Sequence, residues 1–418
     1  TDQKQVTDKT KALIAFGPFG PSFIPTLEHK DYGFNQDLEG FAVDLYKQFN
    51  IGSTSHDLVY GFESEEASYS RPKDRYETNL ITGEVNRVFF GPEIFPNKAF
   101  PDSEVVRDAF YLSDRISLSE STSFVFGLRH DNYEQKAIVD SLSAAGNPAN
   151  HPLLPREDSE TSLKLGVIQD LNDTVSIFAQ VAEGYRNPDF TDAYNTYTNY
   201  AFGYTIIPNP DLKAEYSTGY ELGLRGTKDD VKWSLVLFKN NFKDFIDSNL
   251  YSLPPVNGVL QVRYENLESV RTKGVEFEIR RNISETLSSF AGFALNESDN
   301  LINESITPDQ LKYGLSHISK SGNLSTNYVM TYTADSPRLP PIVGRSGSTP
   351  AVFAPRSITH DVFVDFDLDE NFDLRLGIRN ITDEKYWDWV SVAGLAEGTA
   401  QQYLNPGTNF SFDLRYTF

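Results

Sequence analysis

The sequence predicts an all-β chain folded as an antiparallel transmembrane β-barrel, and three observations predict it. The first is alternation: Phe372, Leu374, Leu376 and Ile378 oppose Asp373, Arg375, Gly377 and Arg379, and Val275, Phe277 and Ile279 oppose Glu276, Glu278 and Arg280. Successive strand residues point to opposite faces, so one face is apolar and the other carries charges of both signs. A soluble sandwich buries its inner face and rarely fills it with charge, whereas a barrel with a wet or polar-filled lumen needs that lining. The second is the rhythm of connections: 135–160 is long, 171–174 short, 185–212 long and 226–230 short, as in a membrane meander with long outer loops and short periplasmic turns. The third is composition, with 30 Phe and 22 Tyr against 1 Met and 0 Cys, which suits aromatic girdles better than helices packed through Leu and Met.

Taken in order, residues 1–30 hold ALIAFGPFGPSFIP, so punctuated by Gly and Pro that an N-terminal irregular segment is expected there, with the barrel over 31–418. From Phe41, the set Phe41, Val43 and Leu45 faces away from Asp44 and Tyr46, and a second run, DLVYGFESEEASYS, follows the turn at Gly52 and Ser53 as a hairpin. The segment 71–101 reads as a long Pro-punctuated loop before the pair VRDAFYLSDRISL and TSFVFGLRHDNYE. Val175, Ile177, Ala179 and Val181 alternate with Ser176, Phe178, Gln180 and Ala182, and Tyr220, Leu222 and Leu224 with Glu221, Gly223 and Arg225. Further strands are read to the last, where Phe410, Phe412, Leu414, Tyr416 and Phe418 share a face, for about sixteen in all.

Composition also excludes. Asp plus Glu is 59 against 37 Lys plus Arg, a net charge of −22, so phosphate backbones are repelled and nucleic acid is not an expected partner. The absence of cysteine removes disulfide frameworks and Cys-based metal sites and suits passage through an oxidising periplasm. No apolar run reaches the ~18 residues of a transmembrane helix, and TDQKQVTDKTK has no signal-peptide pattern. The mean hydropathy of −0.41 does not count against a barrel, which hides its membrane band in every second residue.

Function concentrates in the loop between the strands at 175–182 and 220–225. A connection this long, with Tyr185, Tyr194, Tyr197, Tyr200 and Tyr204 and prolines at 188, 208 and 210, reads as a binding surface on a rigid scaffold. Catalysis does not: the six histidines at 29, 56, 130, 151, 317 and 360 form no HExxH or i, i+4 pair, and no nucleophile motif, GxGxxG or Walker loop is present. His56–Asp57, His130–Asp131 and His360–Asp361 cannot pair as neighbours, because strand residues alternate faces. No enzyme, intrinsic cofactor or metal centre is expected.

The run YRNPDF (Tyr185, Arg186, Asn187, Pro188, then Asp189 and Phe190), with NPDL (Asn209, Pro210, Asp211, Leu212) and YELGLRG from Tyr220, resembles the paired FRAP and NPNL boxes of TonB-dependent outer-membrane haem and haemoglobin receptors. YENLESVRTKGVEFEI (264–279) resembles a strand pair near the middle of such barrels, and LRLGIRNITDEKYWDWVSVAGL (374–395) the penultimate-strand signature, its KYWDW being similar to the haem branch. A chain ending on Phe418 within a strand is similar to an outer-membrane assembly signal. The resemblance implies the C-terminal ~16 strands of a 22-stranded barrel without its plug domain. It also implies haem or haemoglobin as ligand, energy from the TonB complex through the plug, and the Gram-negative outer membrane as location. The family's iron-ligating His between the boxes has no counterpart in 185–212, which leaves Tyr194, Tyr197, Tyr200 and Tyr204 as candidate ligands. A siderophore or other metal-chelate receptor is the alternative within transport, a passive porin-like barrel the alternative outside it, and an outer-membrane hydrolase a distant third.

Overall fold

The computed structural model describes every residue except 1, 18–19, 88–94, 99, 148–149, 197, 200–202, 248–250, 257, 300–305, 340–341, 345–346, 368–370 and 418. One antiparallel meander carries the fold. Its strands are β1 Asp2–Gly17, β2 Gly20–Ile51, β3 Thr54–Ser70, β4 Asp102–Ser117, β5 Thr122–Ile138, β6 Arg156–Asn172, β7 Val175–Arg186 and β8 Glu215–Lys228. It continues through β9 Val231–Ile246, β10 Asn266–Asn282, β11 Leu287–Ser298, β12 Gln310–Ile318, β13 Leu324–Thr333, β14 Ser357–Asp367, β15 Phe372–Arg379 and β16 Asn409–Tyr416. Each pairs with the next. Three short strands, Pro72–Asn79, Val85–Asn86 and Asn97–Lys98, join beside β2 to make a sheet of 19 strands. The rest is the sixteen-strand meander that the alternation predicts.

Two expectations are corrected. The described residues of 1–30 are not irregular: β1 pairs with the first half of β2 from Asp2↔Asn35 to Gly17↔Gly20. Pro25 is tolerated because a strand residue's N–H and C=O point to the same edge, and the Pro25 carbonyl accepts from Leu80 N (2.9 Å) on the side away from β1. Its missing N–H therefore takes nothing from the β1 ladder, and Pro21, four residues earlier, shares that edge. The segment 71–101 likewise is not all loop. Its Pro72–Asn79 strand lies on β2 from Thr26↔Asn79 to Tyr32↔Lys73, so the start of β2 is the middle of a three-stranded wing.

Cross-strand register fixes which side faces lipid. Leu222, Leu237, Val275 and Leu295 stand in one row across β8 to β11; Leu222, Leu237 and Leu295 are exposed, as are Phe410, Phe412 and Leu414 on β16. A continuous exposed apolar band of this kind is what bilayer hydrocarbon covers. The opposite face is polar and holds Arg375 on Asp365, Arg129 on Glu63 (2.7 Å) and Arg280 on Glu278 (2.5 Å). Among the described residues β16 pairs only with β15, and positions 36–51 of β2 pair only with β3, so the sheet has two open edges.

The inner wall carries a repeated cross-strand device. Phe178 sits opposite Gly223, Phe238 opposite Gly274, Phe290 opposite Gly314, Phe363 opposite Gly377 and Tyr111 opposite Gly61. At Gly223 and Gly274 a methyl group would collide with the facing phenyl ring. Each ring therefore lies along the wall over a glycine, covering backbone that would otherwise lack a side chain.

Candidate functional site

The outer end of β7 and β8 builds the site. The β6–β7 ladder stops at Lys164↔Ala182, while β7–β8 continues to Arg186↔Glu215. Above that register the tops of β7 and β8 part from β6, and a side chain bridges the gap: the Tyr216 hydroxyl donates to Glu160. Asp131 is buried and takes Arg107 Nε and Arg129 Nε at 2.9 Å each, so its charge is matched where water cannot reach it.

The YRNPDF box is a turn into a single helical turn, Phe190–Tyr194. Asp189 caps it, its Oδ1 accepting from Thr191 N (2.7 Å) and Asp192 N (2.8 Å), which satisfies helix-start donors. Arg186 reaches Glu215 at 2.6 Å and Asp192 at 3.4 Å, and Glu215 also accepts from Ile246 N, so three strand tops are tied through one carboxylate. Pro188 is buried. The buried Gln135 amide spans the turn, donating to Pro188 O and accepting from Phe190 N at 3.1 Å each. Phe190 then joins an aromatic cluster, with ring centroids 4.5 Å from Tyr69, 5.1 Å from Phe100 and 6.4 Å from Phe34.

Tyr194 is only 1% exposed, and its hydroxyl lies 3.2 Å from Gln135 O and 3.1 Å from Leu154 O. Burial pushes its phenol up to about 12. As a source of phenolate for iron it is therefore displaced: the structure uses it to anchor the loop. Tyr204 is half-buried in the short strand Tyr204–Ile206, which runs parallel to Val259–Arg263 of the next outer loop. Tyr197 and Tyr200 lie outside the described residues.

The NPDL box faces the first. Asn209 is buried, donates to Tyr264 O (2.9 Å) and accepts from Asp211 N (3.1 Å); Leu212 is buried and Pro210 exposed. A pocket of ≈ 240 Å³ is lined by Ala193 and Tyr194, just past the first box, together with Pro208, Asn209, Pro210, Arg156 and Asp158. The 264–279 signature belongs to the same brace, since Asn266 holds the backbone of Lys213 and of Asp244. Of the residues singled out from sequence, the structure thus brings Arg186, Pro188, Tyr194, Asn209 and Leu212 into one framework. Asn187 is half-buried beside them.

Sequence reasoning missed the supports contributed by β5: Arg129, Asp131, Tyr133 and Gln135 are every second residue of one strand, and that polar alternation was the available signal. The KYWDW run also has a structural role. Trp389 is 3% exposed and packs with Val352, Ala354, Val392 and Ala400, while Trp387 Nε1 donates to Ala400 O at 2.8 Å, so the run is the core of two outer loops. His56 pairs not with Asp57 but with Asp114 on the neighbouring strand, at 2.7 Å.

Two acids outside the membrane strands are shifted in opposite directions. Asp192 is raised to about 6 by burial and by Asp189, whereas Asp140, which receives Lys98 and caps the Ser141–Gly146 helix, is lowered to about 2.

Comparison with known proteins places this framework. A family model described as "TonB dependent receptor-like, beta-barrel" matches residues 7–381. The "Probable hemoglobin and hemoglobin-haptoglobin-binding protein 4" of Haemophilus influenzae is 22% identical over 96% of this chain and 48% of its own length. A "Probable TonB-dependent siderophore receptor PirA" of Acinetobacter baumannii is 22% identical over 74% of this chain and 42% of its own. Among solved structures, the copper transporter OprC superposes with a TM-score of 0.67 at 16% identity, over 94% of this chain and 57% of that one. The siderophore receptor PirA from Acinetobacter baumannii gives 0.65 at 17% identity, over 100% and 63%. The chain spans about half the length of the curated relatives it matches.

Proposed function

Because this chain belongs to the TonB-dependent receptor β-barrel family, whose members are transport receptors of the outer membrane, we propose that it serves in the uptake of haem, taken free or from haemoglobin, with energy delivered by the TonB complex through a plug domain. The observation that carries this reading is the outer framework in which Phe190 of the first box stacks with the half-buried rings of Phe34 and Tyr69. Aromatic faces suit the large apolar plane of a porphyrin. The haemoglobin-binding proteins similar over most of this chain support the same ligand. No covalent chemistry belongs to this reading.

With Tyr194 committed to backbone carbonyls, any iron ligand from the described part of the loop falls to Tyr204. Ligand capture by stacking and by protein–protein contact needs no such ligand, and tyrosine is a common anchor at protein interfaces. A second reading, uptake of a ferric siderophore, is favoured by the resemblance to PirA in both sequence and fold. Titration of the purified protein, at its natural length in detergent, separates the two. Haem should shift its Soret band on binding and resist displacement by excess ferric catecholate. Binding of the ferric catecholate alone, with free haem unperturbed, would leave the siderophore reading standing.

A further inference from the structure

The glycine-backed aromatics have a second property besides covering the wall. Tyr111 lies between Phe110 and Leu112, Phe178 between Ile177 and Ala179, Phe290 between Ser289 and Ala291, and Phe363 between Val362 and Val364. These neighbours point outward, so the four rings stand back to back with the lipid-facing band and therefore at the depth of the hydrocarbon. They come from β4, β7, β11 and β14, which spreads them round the sheet. A luminal wall of this family of folds is expected to be polar; here flat rings recur along it.

Three of these rings carry a guanidinium. Arg129 Cζ is 5.7 Å from the Tyr111 centroid, Arg225 6.0 Å from Phe178 and Arg379 5.7 Å from Phe363. Arg129 is held by Glu63 and Asp131. Arg225 and Arg379 have no carboxylate within ion-pair distance among the described residues, although the chain as a whole is strongly acidic. A ring fixed over glycine cannot sink into the wall, and an arginine parked at it keeps its charge while its planar face remains available for stacking.

We propose that these positions form a belt on the inner wall that contacts a flat conjugated anion on its passage inward, the rings and guanidinium planes stacking on its face and the free arginines meeting its carboxylates or phenolates. This rests on the transport reading above and narrows it: haem presents one such conjugated face and an octahedral ferric catecholate presents smaller ones on its catecholate rings, whereas an aliphatic chelate presents none.

The test uses cells producing the protein at its natural length. Surface binding and the initial rate of energy-dependent uptake are measured for haem and for a ferric catecholate. The variants are Phe178→Leu with Phe363→Leu, which keep apolar cover over the glycines, and Arg225→Gln with Arg379→Gln. Unfolded variants are recognised by loss of heat-modifiable migration on gels and replaced by the single substitutions. Surface affinity should stay within about twofold while uptake falls about tenfold, the loss of stacking at two positions. Unchanged uptake in folded variants overturns the belt. If wild-type cells take up the catecholate and not haem, the haem reading fails while a slowed catecholate in the variants still supports the belt. Uptake by the wild type of an aliphatic ferric chelate only overturns the belt as well.

Discussion

The side chain of Asn266 lies against the backbone of Lys213, its oxygen accepting from the Lys213 N–H at 2.8 Å and its amide donating to the Lys213 carbonyl at 3.0 Å. The same amide also donates to Asp244 O at 2.6 Å. One residue at the start of β10 thus stands in for a missing strand between the NPDL box and the end of β9. Replacing it by Ala leaves these backbone groups without partners, and Asn266→Ala should loosen the loop by about 2 kcal/mol. Limited proteolysis within 187–214 is the readout. Cleavage at the wild-type rate would show that the brace is dispensable.

The register β8–β9–β10 pairs Leu235 with Leu224 and with Phe277, all on the outward face, while Ser234 points inward. Leu235→Lys should therefore cost about 2 to 4 kcal/mol in bilayer, and Ser234→Lys far less. Cysteines placed at the two positions give an independent check, since a lipid-borne maleimide should modify 235 and spare 234. The reverse pattern would mean that the strand is slipped by one residue.

At Gly223 a side chain has no room beneath the Phe178 ring. Gly223→Val should destabilise the barrel by about 1 to 3 kcal/mol through overpacking. Combined with Phe178→Ala, the same substitution should cost much less than the two separate losses added together. Urea unfolding of the four members of this cycle measures the coupling; strict additivity would mean that ring and glycine do not touch.

Asp192 titrates in the window that the box loop experiences. Its carboxyl is raised to about 6 by burial first and by Asp189 second, above the unfolded value near ~4. Between those values the folded loop holds the extra proton, so the contribution is fully present below about pH 4 and is lost as pH rises through about 6. The expected size is up to about 2 kcal/mol, local to the loop. Amide protection factors over 190–194, corrected for intrinsic exchange, should be higher at pH 5 than at pH 8, and Asp192→Asn should flatten the difference. Equal protection at both pH values in the wild type would remove the effect.

Much of this architecture is legible in the residues because a membrane strand must sort its side chains every second position. The meander, its faces at Leu374 and Asp373, and the rhythm of loops all follow from that single constraint. The wing formed by 1–34 is not legible in the same way. Outside the bilayer nothing forces alternation, and what admits Pro25 is the direction of its carbonyl toward Leu80, which only the pairing reveals. The box loop shows the opposite failure. Its tyrosines read as exposed because the loop is long, yet Tyr194 is enclosed by Gln135, Leu154 and Phe100, residues far away in sequence. The KYWDW run is legible as a resemblance, but its packing is not, since Val352, Ala354 and Ala400 reach Trp389 only through the fold.

The end of the β6–β7 ladder at Lys164↔Ala182 divides the molecule mechanically. Below it, each register step is made by backbone hydrogen bonds whose loss in hydrocarbon costs several kcal/mol each, so the sheet is stiff. Above it, β8 is held to β6 by the contact of Tyr216 on Glu160, which water can replace at a cost of about 1 kcal/mol. The mouth is thus a compliant rim on a stiff wall, able to yield to an incoming cargo while the strands in the hydrocarbon keep their register.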